Sequence, residues 1–167
     1  MTTTNTQIHP FISYLLSIKQ AENRGALAAL RRGVGKPPGS SVEMYRYIIP
    51  WLSNNPTLNQ ETAHYLIASL FALHPESTNS GNIGTHLAQT IPLGGEGKEA
   101  LERRFTILLS SDMEELPVYL RLIINFLKSK NKPINWNQLY YDVLDWERDD
   151  RRVQKHWARA FWGNTPD

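Results

Sequence analysis

The 167-residue chain contains no cysteine, which excludes disulfide staples, Cys-ligated zinc and thiol nucleophiles. It also lacks any run of the roughly 18 apolar residues that a membrane helix requires. The polar, uncharged start Met1–Gln7 does not read as a signal peptide. No Asn-x-Ser/Thr acceptor occurs, because Asn55 is followed by Pro56. A chain of this length with 41% hydrophobic residues can bury one core unaided. The expectation is a cytoplasmic globular protein with no membrane association. It forms one domain over residues 1–167, with flexible ends at 1–9 and 163–167.

Charge of one sign is missing over long stretches. No Lys or Arg occurs from Tyr47 to Gly97. Between Glu22 and Glu43, Arg24, Arg31, Arg32 and Lys36 meet no acid, and neither do Arg121, Lys128, Lys130 and Lys132 between Glu115 and Asp142. The net charge of +2 therefore hides segregated basic patches, which matter more to a polyanion than the total does. Arg supplies 11 of the 18 cations, and its forked guanidinium suits phosphate.

Alternating strand periodicity is scarce, and helical spacing fits nearly everywhere. The spacing predicts helices over Pro10–Gln20, Ala21–Arg32, from Ser41 with a kink or end at Pro50, Asn59–Leu73, Ile83–Thr90 and Lys98–Ser110. Further helices are expected from a Ser111–Glu114 capping box to Ser129, after an Asn135 cap, and over Asp150–Trp162. Loops are expected near 33–41, 76–82 and 92–97, with 76–82 the most disordered. The sum is an all-α bundle of about seven to nine helices.

Catalytic chemistry fails on residue supply. The five His (His9, His64, His74, His86 and His156) form no close ligand pair. His64 reads as a packed or hydrogen-bonded core residue, and His74 as a helix-end residue. Gly94-Gly95-Glu96-Gly97-Lys98 falls short of a phosphate loop, since Pro92 stands where a glycine is needed and Glu99 where Ser or Thr is needed. The acid pairs Glu114–Glu115 and Asp149–Asp150 read as first-turn residues at helix dipoles. No enzyme activity, cofactor or metal is expected.

What remains is basic. Arg121, Asn125 and Lys128 make a stripe beside the apolar Leu116, Leu120, Ile123 and Leu127, with Lys130 and Lys132 beyond it. Arg24 and Arg31 share a helix face, with Arg32 alongside and Lys36 in the Gly/Pro loop. Glu99 and Glu147 stand four residues before Arg103 and Arg151, so those two Arg read as ion-paired. Arg104 and Arg152 lack such partners and are nucleic-acid candidates. Among the tryptophans, Trp136 and Trp157 fall on core stripes, whereas Trp146 and Trp162 suit a protein interface.

Arg24-Gly-Ala-Leu-Ala-Ala-Leu-Arg-Arg-Gly33, Ala72-Leu-His-Pro75, Gly84-x-x-Leu87, Glu102-Arg-Arg-Phe105, Leu120-Arg121, Asp145-Trp146 and Trp157-Ala-Arg-Ala-Phe-Trp162 occur in this order. Together, from Phe11 to Trp162, they resemble the CasB family, the small subunit of the type I-E CRISPR surveillance complex, Cascade. The resemblance implies a non-catalytic helical subunit, two copies of which pack head to tail. It implies contacts with crRNA, target and non-target DNA and other Cascade subunits, bracing the hybrid and holding the displaced strand. Arg24, Arg31, Arg32, Arg103, Arg104 and Arg121 fall within matched motifs, and Lys128 and Lys130 follow the leucine-rich helix. The rival reading is a helical protein–protein adaptor whose basic faces meet acidic partners and never nucleic acid.

Overall fold

The computed structural model describes residues 7–163 and contains nine α-helices among them. They are α1 (Pro10–Gln20), α2 (Arg24–Arg31), α3 (Tyr45–Ile48), α4 (Leu58–Leu73), α5 (Ile83–Ala88), α6 (Lys98–Ser110), α7 (Leu116–Ser129), α8 (Trp136–Leu144) and α9 (Arg152–Trp162). Short 3₁₀ turns, Val42–Met44 and Ile49–Trp51, flank α3, so the segment around Pro50 is three short turns and not one kinked helix. No strand forms among the described residues, and the expected all-α class holds.

Helix α4 is the hub. Every residue from Thr62 to Ala72 is buried, because α2, α3, α7 and α8 all pack around it. Its start is fixed by a capping box in which Thr57 Oγ1 accepts from Gln60 N–H at 3.1 Å and Gln60 Oε1 accepts from Thr57 N–H at 3.0 Å. His64 lies in this buried run, its Nδ1 2.7 Å from the Gln60 carbonyl, and the His74 ring meets the Lys132 carbonyl at 2.6 Å. Both are structural, as their positions suggested.

Helix α5 ends at Ala88 and not Thr90, and three other boundaries shift for local reasons. Glu22 adopts φ 52°, so α2 begins at Arg24 and not Ala21, with Asn23 Oδ1 accepting from Ala26 N–H. Arg151 adopts φ 51°, which delays α9 to Arg152. The reciprocal bonds before α7 span Asp112–Glu115, one residue later than expected, and close the turn that leads into Leu116: Asp112 Oδ1 accepts from Glu115 N–H at 2.8 Å, and Glu115 Oε2 from Asp112 N–H at 3.2 Å. Ser111 is instead buried, donating to the Leu108 carbonyl.

The 76–82 loop, expected to be disordered, is tied down. Ile134 N–H donates to the Glu76 carbonyl, Thr78 N–H to the Ile134 carbonyl and Asn135 Nδ2 to the Gly81 carbonyl. Of the ends expected to be flexible, 1–6 and 164–167 lie outside the described residues. His9 is anchored, its N–H donating to Asn137 Oδ1 and its Nδ1 accepting from Phe11 N–H.

At the other pole, α5 lies directly on α9. A Cβ on Gly84 would overlap the backbone carbonyl of Trp157, so only glycine permits this approach. That close approach explains the Gly84-x-x-Leu87 spacing, whose Leu87 is fully buried.

Candidate nucleic-acid interface

The two basic segments, well separated in sequence, meet in space. The loop after α2 carries Gly35 at φ 79°, and the Arg121 guanidinium lies against it so closely that a Cβ there would overlap Nη1. Lys36, the next residue of that loop, lines the same groove as Arg121 and is thereby brought toward the α7 stripe, where the loop and α7 enclose a cavity. Spacing along single helices could not reveal this junction, because it depends on how α2 and α7 both pack on α4.

The cations along this surface are mostly unengaged. Among the described residues, Arg24, Arg31, Lys36, Arg121, Lys128 and Lys130 form no ion pair. Arg24 is exposed in the first turn of α2, where the helix dipole gives a cation no stabilisation. Arg31 is exposed, its Nε donating weakly to the Leu27 carbonyl at 3.4 Å. Lys130 caps α7 and leans over the Phe126 ring at 5.7 Å. Arg32 is partly committed, with Nη1 3.6 Å from Glu43 Oε1. The Glu43 carboxyl is held below its ordinary range by its own backbone N–H, the Ser41 hydroxyl and the charges of Arg32 and Lys36.

Helix α6 departs from expectation. Its ion pair is Lys98–Glu102 at 3.8 Å and not Glu99–Arg103, so Arg103 and Arg104 are both exposed and without an ion pair among the described residues. The region before α9 reverses the expected roles. Arg152 ion-pairs with Asp145, whereas Arg151 donates to the Leu109 carbonyl at 2.6 Å, and neither engages Glu147. Arg148 pairs with Asp150 at 3.1 Å. Glu147 and Arg151 share no helix, since α8 ends at Leu144 and α9 begins only at Arg152, so the expected i,i+4 pair does not form. Arg152 is therefore not the free cation that its spacing suggested.

Trp146 also needs correction as an interface anchor. It is only 2% exposed, its indole N–H donates to the Ser111 carbonyl at 2.9 Å, and its ring packs on Trp157. Trp162 is half-buried, its ring against Phe105 and Phe161. Sequence spacing missed Arg46, which is exposed on α3 and stands over the Tyr47 ring at 5.2 Å. Its neighbour Glu43 ended the acid-free stretch one turn too early for it to be counted. Among the described residues, no helix is long and apolar enough to cross a membrane.

Comparison with known proteins agrees with this architecture. Residues 26–162 match the family described as CRISPR-associated protein Cse2. A CRISPR-associated protein Cse2 from Thermus thermophilus is 32% identical over 139 residues, which cover 83% of this chain and 79% of that one. The crystal structure of CasB from Thermus thermophilus superposes with a TM-score of 0.79 at 26% identity, covering 93% of this chain and 99% of that one. A chain of a CRISPR RNA-guided surveillance complex shares the fold with a TM-score of 0.71 at 23% identity, covering 90% and 88% of the two chains. The resemblance to CasB is thus met by a matching sequence and a matching fold, and the chain belongs to the CRISPR-associated Cse2 family.

Proposed function

We propose that this chain is a non-catalytic structural subunit of a cytoplasmic CRISPR RNA-guided surveillance complex. In this reading it binds the phosphate backbone of guide RNA, target DNA and the displaced strand, beside other Cascade subunits and a second copy of itself. The observation that carries it is the approach of Arg121 to Gly35, which brings together two sequence segments free of acids whose cations are mostly without ion pairs. Family membership and the fold shared with a surveillance-complex chain support it. Phosphate binding suffices for such a role, since pairing with the guide reads the sequence.

The test is a salt titration of single-stranded DNA and RNA binding. Arg121→Gln with Lys128→Gln should weaken binding alike across sequences. It should also shallow the slope of log affinity against log salt by about 0.7 for each single-strand phosphate no longer neutralised. An unchanged slope with intact folding would favour the protein–protein adaptor.

A further inference from the structure

The 33–39 loop, the first turns of α4 and the start of α7 enclose a groove of about 620 Å³. That volume falls in the range of small-ligand sites. Its walls are mainly apolar, with Pro37, Pro38, Leu66, Met113 and Pro117 among them and the edge of Tyr65, 4% exposed, reaching the lining. Both signs of charge line it: Glu114 in the turn before α7, and Arg121 on α7 itself. Arg121 forms no ion pair with Glu114 or Glu147, although all three border the same groove. Lys36 lies with Arg121 where the loop crosses α7. The groove thus opens at the junction of the two basic segments.

We propose that the groove receives one unstacked nucleobase from a single strand, with Arg121 and Lys36 holding the phosphates that flank it. This rests on the phosphate-track reading above and adds a base-binding site to it. A strand following the track passes the mouth of the groove and presents a π face at every nucleotide. The apolar walls suit that face, and the two cations neutralise the adjoining phosphates. An apolar peptide would leave both cations without counter-charge. The carboxylates of Glu114 and Glu147, which also line the groove, disfavour a phosphate inside it and so favour a base there.

The experiment uses the full chain with two probes of ten nucleotides, an oligothymidine containing 5-iodouracil and an abasic strand of equal length. The base-bearing strand should bind about tenfold more tightly than the abasic strand at equal salt, as expected when one base stacks. Irradiation should cross-link iodouracil to Tyr65 or Met113. Asn59→Leu with Thr62→Leu, which fills the groove without changing charge, should abolish the tenfold preference and leave the salt slope intact. A variant of Val118→Leu, at the more exposed rim, keeps the comparison available if the double substitution unfolds; it should reduce the preference by a smaller factor. Equal binding of both strands with a normal salt slope, or cross-links confined to other residues, overturns the base site while leaving the phosphate track standing. Loss of salt dependence overturns the track itself. If filling the groove spares strand binding but prevents co-purification with partner subunits, the occupant is a protein segment and the proposal fails.

Discussion

The carboxylate of Asp142 accepts the indole N–H of Trp157 at 2.7 Å, joining α8 to α9 through two buried side chains. Gln138 Nε2 donates to the same carboxylate at 2.9 Å, so the buried charge is met by two donors. Trp157→Ala is expected to cost about 3–5 kcal/mol through loss of a fully buried indole. Trp157→Phe should cost less, about 1–3 kcal/mol, mainly from the donor withdrawn from Asp142. Urea unfolding of the two variants distinguishes packing from hydrogen bonding, and a parent-like midpoint for the Ala variant would refute the buried placement.

Two buried groups give the fold opposing responses to acid. Burial pushes the Asp142 carboxyl from its ordinary 3.8 up to about 6. The folded state therefore binds this proton more readily than the unfolded one, and the contribution is full below 3.8 and lost as pH rises through 6. His86 behaves in the other sense. Burial, helped by Lys132, lowers its imidazole to about 4, and Nε2 accepts the Asn135 N–H at 3.1 Å. Its contribution is full above 6.5 and is lost as pH falls through 4. Asp142→Asn should remove the compensating contribution and make stability fall more steeply between pH 6.5 and 4. Parallel stability profiles for parent and variant across that window would contradict this.

Gly84→Ala should destabilise the α5–α9 packing, because the new methyl meets the Trp157 carbonyl and backbone on either side must separate. Overpacking of this kind typically costs about 1–3 kcal/mol. Gly94→Ala is the matched control. No atom lies within 4 Å of its added Cβ, and its change should stay within about 0.5 kcal/mol. Thermal unfolding of the pair would show whether close approach or general glycine content governs stability.

Arg152→Gln and Arg104→Gln separate an engaged cation from one without an ion pair. Arg152 is held by Asp145, so its removal should leave the salt slope of strand binding unchanged and lower stability by at most about 1 kcal/mol. Arg104 is exposed without an ion pair on α6, and its removal should spare stability while weakening strand binding. Equal effects of both substitutions on binding would mean that ion pairing within the domain does not predict which cations meet phosphate.

Helices were legible wherever one apolar stripe and one end signal coincided. Pro10 with Gln20, Lys98 with Ser110, and the Asn135 cap are read directly from local residues. Boundaries failed where a non-glycine residue takes a left-handed turn, at Glu22 and Arg151, since nothing in those side chains announces positive φ. The basic character of the surface was legible in the missing acids. Its continuity was not, because the meeting of Arg121 with Gly35 is a tertiary event. Arg152 and Trp146 misled for the same reason: Asp145 and the Ser111 carbonyl reach them only after α8 and α9 pack together. The 76–82 loop was misread because its composition is that of a free turn, while its order comes from carbonyls that Ile134, Asn135 and the Trp136 indole reach across the chain.

The Pro92–Gly97 turn projects Leu93 fully into the open, and Gly94, Gly95 and Gly97 have no neighbouring atoms within 4 Å of an added Cβ. Such a turn is a natural port for foreign sequence. A fluorophore-bearing cysteine placed at Gly94 would be the chain's single thiol. It would report on assembly from a position outside both the hub around α4 and the Arg121 junction.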